Sequence, residues 1–108
     1  MTVNDLCNIE GFSPLTLPEG DREINGVYIG DLLSWVMGKA TCDNAWITIM
    51  SNINTLAVAS LTDVACIILS EGVTLEDSIK ASAQQKGINV VTSSYSAYDT
   101  ALILSKAM

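Results

Sequence analysis

Few residues in this chain could do chemistry, and they fall into three groups. The first is "GVYIGDLL", where Gly26, Gly30 and Asp31 stand between a β-prone run and a helical one. Glycines at such a junction suggest a phosphate cradle. A dinucleotide fingerprint, however, needs G-x-G-x-x-G, and a P-loop ends in Lys-Ser/Thr. Neither is present, and a carboxylate at the helix N-terminus would repel a phosphate there. The spacing predicts a plain strand-to-helix turn, with Asp31 as the N-cap of a helix that Gly38 ends.

The second group is Asp21-Arg22-Glu23, which holds the chain's single arginine. Its guanidinium fork suits either an anion clamp or a structural ion pair holding the turn before the next strand. Glu10, Glu19, Asp21 and Glu23 supply oxygen ligands but not the spacing of a calcium loop, so they read as a solvated acidic face. The third group comprises three clusters rich in Ser, Thr and Asn: Thr48 to Asn52, Ser70 to Thr74, and Thr92 to Ser96. The chain has no histidine, which removes a His-based triad, a His-dependent zinc site and the commonest general base. No carboxylate, lysine or tyrosine stands beside a nucleophile of the G-x-S-x-G type. Neither catalytic residues, a metal nor a cofactor is expected.

The elements that must position these groups follow from hydrophobic period. "TVNDLCNIEG" reads as a short helix capped by Thr2 and ended by Gly11. In "FSPLTLPEGD", Pro14 and Pro18 permit at most a short edge strand. "INGVYIG" is a strand, and "DLLSWVMGKA" a helix with Leu32, Leu33, Val36 and Met37 on one side. "AWITIM" is the next strand. "SNINTLAVASL" is a helix with Ile53, Leu56, Ala57 and Ser60 in register. "VACIIL" is apolar throughout, as a strand covered on both faces would be. "GVTLEDSIKASAQQKG" is a helix with Thr74 and Asp77 resembling a capping box and Gly87 as its stop. "INVVTS" is the last strand, and "SYSAYDTALILSKAM" a last helix with Tyr98, Ala101, Leu102 and Ser105 in register. Such alternation predicts one α/β domain over residues 1–108: a three-layer α/β/α architecture with a mainly parallel sheet built from successive βαβ units. Ligands dock at the carboxyl ends of such strands. The three polar clusters fall there, which marks Thr48, Ser51, Asn52, Gly72, Thr92 and Ser93 as candidate ligand contacts, with Arg22 as the alternative anion contact. The competing reading is that these hydroxyls cap their own helices.

Composition narrows the class. Of 108 residues, 49% are hydrophobic and 16% charged, which suits a packed core and argues against disorder. Net charge is −7, and the five Lys and Arg are scattered, so nucleic acid is not expected as a partner. "VACIIL" is far too short for a membrane span, and no membrane association is expected. The acidic "MTVNDLCNIEG" does not read as a signal peptide, which points to the cytoplasm. Cys7, Cys42 and Cys66 read as reduced thiols, with Cys66 a packing residue. Trp35 and Trp46 read as core or interface anchors.

"DREINGVYIGDLLSWVM", "AWITIMSNINTLAVASL", "VACIILSEG" and "GINVVTSSYSAYDTA" together resemble the DRTGG domain. That domain is similar to the N-terminal domain of HPr kinase/phosphorylase, whose P-loop lies in a different domain. It also occurs beside cystathionine-β-synthase-type nucleotide-sensing domains in regulated pyrophosphatases, and within some phosphotransacetylase-type proteins. Small stand-alone versions resemble the chain from end to end, some from anaerobes with iron-hydrogenase gene clusters. Asp21, Arg22 and Gly26 match the start of the family pattern, Thr48 the end of the following strand, and Gly72 the turn after "VACIIL". From Ile49 to Ile53 the chain departs from the glycine and charged residues of many relatives. The resemblance implies a regulatory or assembly module, often self-associating, without established catalytic residues. Two functions from different classes follow. One is a non-enzymatic regulatory or interaction module, homodimeric, sensing a small polar or nucleotide ligand or joining a hydrogenase-associated or signalling protein. The other is a small enzyme acting on a phosphorylated or acyl substrate at the Ser/Thr-rich edge.

Overall fold

The computed structural model describes all 108 residues. In chain order the elements are α1 (Val3–Cys7), β1 (Phe12–Thr16), β2 (Gly26–Ile29), α2 (Leu33–Lys39), β3 (Asn44–Thr48), α3 (Ile53–Thr62), β4 (Cys66–Leu69), α4 (Asp77–Gln85), β5 (Val90–Ser93) and α5 (Ala97–Ala107). One five-stranded sheet has the order β1-β5-β4-β3-β2. β2 to β5 are parallel, each strand added beside the last. Right-handed crossovers taken repeatedly in one direction must leave all their helices on one face. Accordingly α2, α3 and α4 cover one side, where Val36, Leu56, Ala59 and Ala83 meet Trp46, Ile67, Leu69 and Val90. The terminal helices α1 and α5 cover the other, with Val3, Leu6 and Leu104 against Ala45, Ile47, Cys66, Ile68 and Val91. Each large side chain buried this way contributes about 1.5–3 kcal/mol. This two-sided cover explains why every residue of "VACIIL" is apolar.

The sheet is mixed, because β1 pairs antiparallel with β5. The antiparallel strand lies outside the chain of βαβ units, and Pro14 confines it to an edge because proline cannot donate to a ladder. The register shifts between Pro14 and Thr16. There the Thr16 hydroxyl repairs the ladder, donating to the Ile88 carbonyl (2.7 Å) and accepting from the Val90 amide (3.1 Å).

Several local expectations need correction. Thr2 does cap α1, in a capping box with Asp5: the Asp5 amide donates to Thr2 Oγ1 and the Thr2 amide to Asp5 Oδ2. Gly11 does not end α1, which stops at Cys7; at φ 92° it turns the chain into β1, where a Cβ would collide with the Tyr95 ring. α2 starts after Leu32 with no side-chain cap and runs through Gly38 to Lys39. α4 starts at Asp77 after Glu76, also uncapped, so Thr74 lies outside it. Gly87, at φ 74°, does follow the end of α4. Three helices also present different faces from those their periodicity suggested. α2 turns Leu33, Val36 and Ala40 inward and leaves Leu32 and Met37 exposed; α3 buries Thr55, Leu56, Val58 and Ala59 but not Ile53. α5 buries Thr100 and Leu104 and leaves Tyr98 and Leu102 outside. Small residues allow close approach to the sheet, so Ala97 and Ala101 face it in place of Tyr98. No helix is long and apolar enough to cross a membrane.

Candidate functional site

Parallel register sets Thr48 beside Leu69 and Leu69 beside Thr92, so the loops after β3, β4 and β5 share one edge. In the first loop, Thr48 Oγ1 donates to Asp31 Oδ1 at 2.7 Å, and the Ile49 amide donates to the same oxygen at 3.0 Å. Thr48 Oγ1 in turn accepts from the Met50 amide at 3.1 Å. Asp31 is therefore not a helix cap but a brace between the loop after β2 and the loop after β3. A few residues on, Asn52 caps α3, its Oδ1 accepting from the amides of Asn54 (2.9 Å) and Thr55 (3.2 Å).

The other two loops are tied to each other. Glu71 and Gly72 both adopt left-handed backbone (φ 60° and 69°), and their amides donate to the carbonyls of Tyr95 and Ser93. Glycine suits such a position because it lacks a Cβ. Thr92 Oγ1 donates to the Val73 carbonyl at 2.7 Å, while Ser93 Oγ shares a hydrogen bond with Thr100 Oγ1 at 2.8 Å. Ser96 caps α5 through the Asp99 amide.

A broad cleft of about 870 Å³ opens on this edge between the β3–α3 loop and α4. Ile49, Met50, Ser51, Asn52 and Ile53 form one wall. Thr74, Glu76, Ser78, Ile79 and Ser82 form the other. Of the residues singled out from sequence, Ser51 and Asn52 line the cleft, as does Thr74 at the end of the second polar cluster; Thr48 is buried, and Gly72, Thr92 and Ser93 lie elsewhere on the edge. The wall given by α4 was missed. Its signal was Ser78 and Ser82, four apart and thus on one helix face beside Ile79. Two hydroxyls in this half of the fold, Thr55 Oγ1 and Ser70 Oγ, are buried without a hydrogen-bond partner.

Arg22 sits at the opposite end of the sheet. Its guanidinium donates to Asp43 at 2.5 Å and to Asp63 at 3.1 Å, rather than to its neighbours Asp21 and Glu23. Asp43 and Asp63 both occupy left-handed turns (φ 67° and 56°), so one side chain pins the entries to β3 and β4. Burial works against the Arg22 charge, but the two carboxylates outweigh it and hold its pKa above the ordinary value. The Arg22 hydrogen bond keeps Asp43 below the usual carboxylate value. The Asp63 carboxylate accepts from Cys42 and pushes that thiol upward. Nearby, Asn89 is buried, donating to the carbonyls of Glu19 and Ala65 and accepting from the Glu19 amide. Glu10, Glu19, Asp21 and Glu23 are exposed, and no three His, Cys, Asp or Glu come together as a metal site. Cys7, Cys42 and Cys66 are all free, and burial pushes the Cys66 thiol up to about 12.

The family model of the DRTGG domain matches residues 19–107. No curated protein matches the chain. Among solved structures, the fold is similar to the CBS and DRTGG domains of the regulatory region of Clostridium perfringens pyrophosphatase, which was crystallised with its activator, diadenosine tetraphosphate. The TM-score is 0.77 at 12% identity, over 99% of this chain and 47% of that one. The chain thus spans about half of that regulatory region, and at this identity the likeness is one of fold. Because the family match runs through every strand of the parallel sheet and both walls of the cleft, the protein belongs to the DRTGG domain family.

Proposed function

We propose that this DRTGG domain is a non-enzymatic regulatory module, homodimeric, which takes a small polar or nucleotide ligand at the C-terminal edge of its sheet. The cleft between the β3–α3 loop and α4 carries this reading: it combines four apolar residues with hydroxyl and amide groups, the usual make-up of a small-molecule site. The pyrophosphatase regulatory region of like fold, held with a dinucleotide activator, supports a ligand-sensing role. The absence of a free nucleophile–base pair argues against an enzyme. The hydroxyl hydrogen-bonded to a carboxylate at this edge is Thr48 with Asp31, and Thr48 is only 2% exposed. A thermal-shift screen of nucleotides and metabolites, with each hit checked for product, tests the proposal. Ligand at about 100 times Kd should add about 2.7 kcal/mol of stability and be recovered unchanged. Turnover that disappears in Ser51→Ala would establish the enzyme instead.

A further inference from the structure

The cleft is built without a cation. Glu76 is its one formally charged lining residue, and none of the five Lys and Arg contributes to either wall. Arg22 is engaged by Asp43 and Asp63 at the far end of the sheet, where Lys86 also lies. Lys39 stands over the Trp35 ring at 5.9 Å. The usual substitute for a cation, a set of free amides at a helix N-terminus, is partly taken at α3. Asn52 Oδ1 occupies the Asn54 and Thr55 amides of α3, and Asp31 occupies the Ile49 amide. α4 has no side-chain cap, but its N-cap residue Glu76 puts a carboxylate on the cleft wall, and Asp77 adds a second negative charge in the same first turn. A net charge of −7 adds a long-range field of the same sign.

What remains is complementary to an uncharged molecule. Ile49, Ile53 and Ile79 offer apolar surface to a ring face, and Ser51, Ser78 and Ser82 offer hydroxyls to polar ring edges or sugar hydroxyls. A volume of about 870 Å³ is ample for one such molecule. We infer that the cleft takes an uncharged ligand of the nucleoside class and discriminates against its phosphorylated forms. The inference rests on the proposed reading of the cleft as a ligand site and adds the charge it accepts.

Calorimetric titration of the full chain with adenosine and with ATP, in magnesium-free buffer of fixed ionic strength, tests it, with amide chemical shifts locating each probe. Adenosine should shift the amides of residues 49–53 and 74–82 and bind at least ten-fold more tightly than ATP. Glu76→Gln, or Asp77→Asn should the first variant fold poorly, should narrow that ratio at least three-fold. ATP binding in the cleft as tightly as adenosine would overturn the inference while leaving the ligand site standing. Failure of both probes to shift cleft amides at millimolar concentration would overturn the inference, and the ligand site falls with it only if the wider thermal-shift screen also finds no binder.

Discussion

Two hydrogen bonds at Asp31 Oδ1 couple the loop after β2 to the loop that forms one wall of the cleft. Replacing it with Ala should cost about 1 kcal/mol, the net worth of such bonds at an exposed site. It should also weaken ligand binding, because the Ile49–Met50 segment loses its brace. A variant that loses stability but keeps full affinity would return Asp31 to a merely local role. Sequence could not show this, since an aspartate before a helical run reads as a cap, whereas its partner Thr48 is 17 residues away. Thr55 carries the opposite prediction. Its buried hydroxyl has no partner, so Thr55→Val should raise stability by about 1 kcal/mol; a loss in a melting curve would mean that the hydroxyl is satisfied by water. Asp43 links stability to pH. Arg22 lowers its folded pKa below the ordinary 3.8, so as pH falls the unfolded chain takes up the proton first. The stabilisation is complete above about pH 4 and is lost as pH drops through the folded value. Asp43→Asn should therefore be less stable at neutral pH yet show a flatter loss of melting temperature below about pH 4. An acid limb as steep as wild type would contradict the role given to this pair.

The two edge strands of the sheet are treated differently. β1 carries Pro14 and a register irregularity, both of which discourage a further strand. β2, "GVYI", has no proline, charge or bulge, and its register with β3 puts Val27 and Ile29 on the α5 face, where they are 36% and 49% exposed. Tyr98 and Leu102 of α5 add exposed apolar surface. These features support self-association through the β2 edge. Light scattering at micromolar concentration should give a mass near twice 11.5 kDa, and Ile29→Lys should reduce it to one chain without altering the far-ultraviolet spectrum. A wild-type monomer would refute the dimer. At this scale the parallel half was legible because each strand and helix carries its own period. The pairing of β1 with β5 was not, because it joins residues some 80 apart and depends on which edge is left vacant. The helix faces were misread for a related reason: alanines that fit against a sheet carry little hydrophobic signal beside an exposed tyrosine or leucine.

Across the whole molecule, the two ends of the sheet have different chemistry. At the end where the parallel strands begin, Arg22, Asp43, Asp63 and Asn89 lock turns together with charged and amide hydrogen bonds. At the end where they finish, hydroxyls and amides line an open cleft flanked by isoleucines. The location of that edge was readable from the polar clusters after each apolar run. Which hydroxyls would be free was not, because Thr92 and Ser93 find partners only once Val73 and Thr100 are brought beside them. A hydrogen-bonded structural end and an open cleft at the other are what the proposed ligand-sensing module requires. The most direct measurement is a set of amide chemical-shift maps recorded with ligands selected by thermal shift. Perturbations confined to residues 49–53 and 74–82, with the ligand intact after a day, are the result predicted. Perturbations centred on Arg22 and the "DREING" segment, or conversion of the ligand to product, would contradict it.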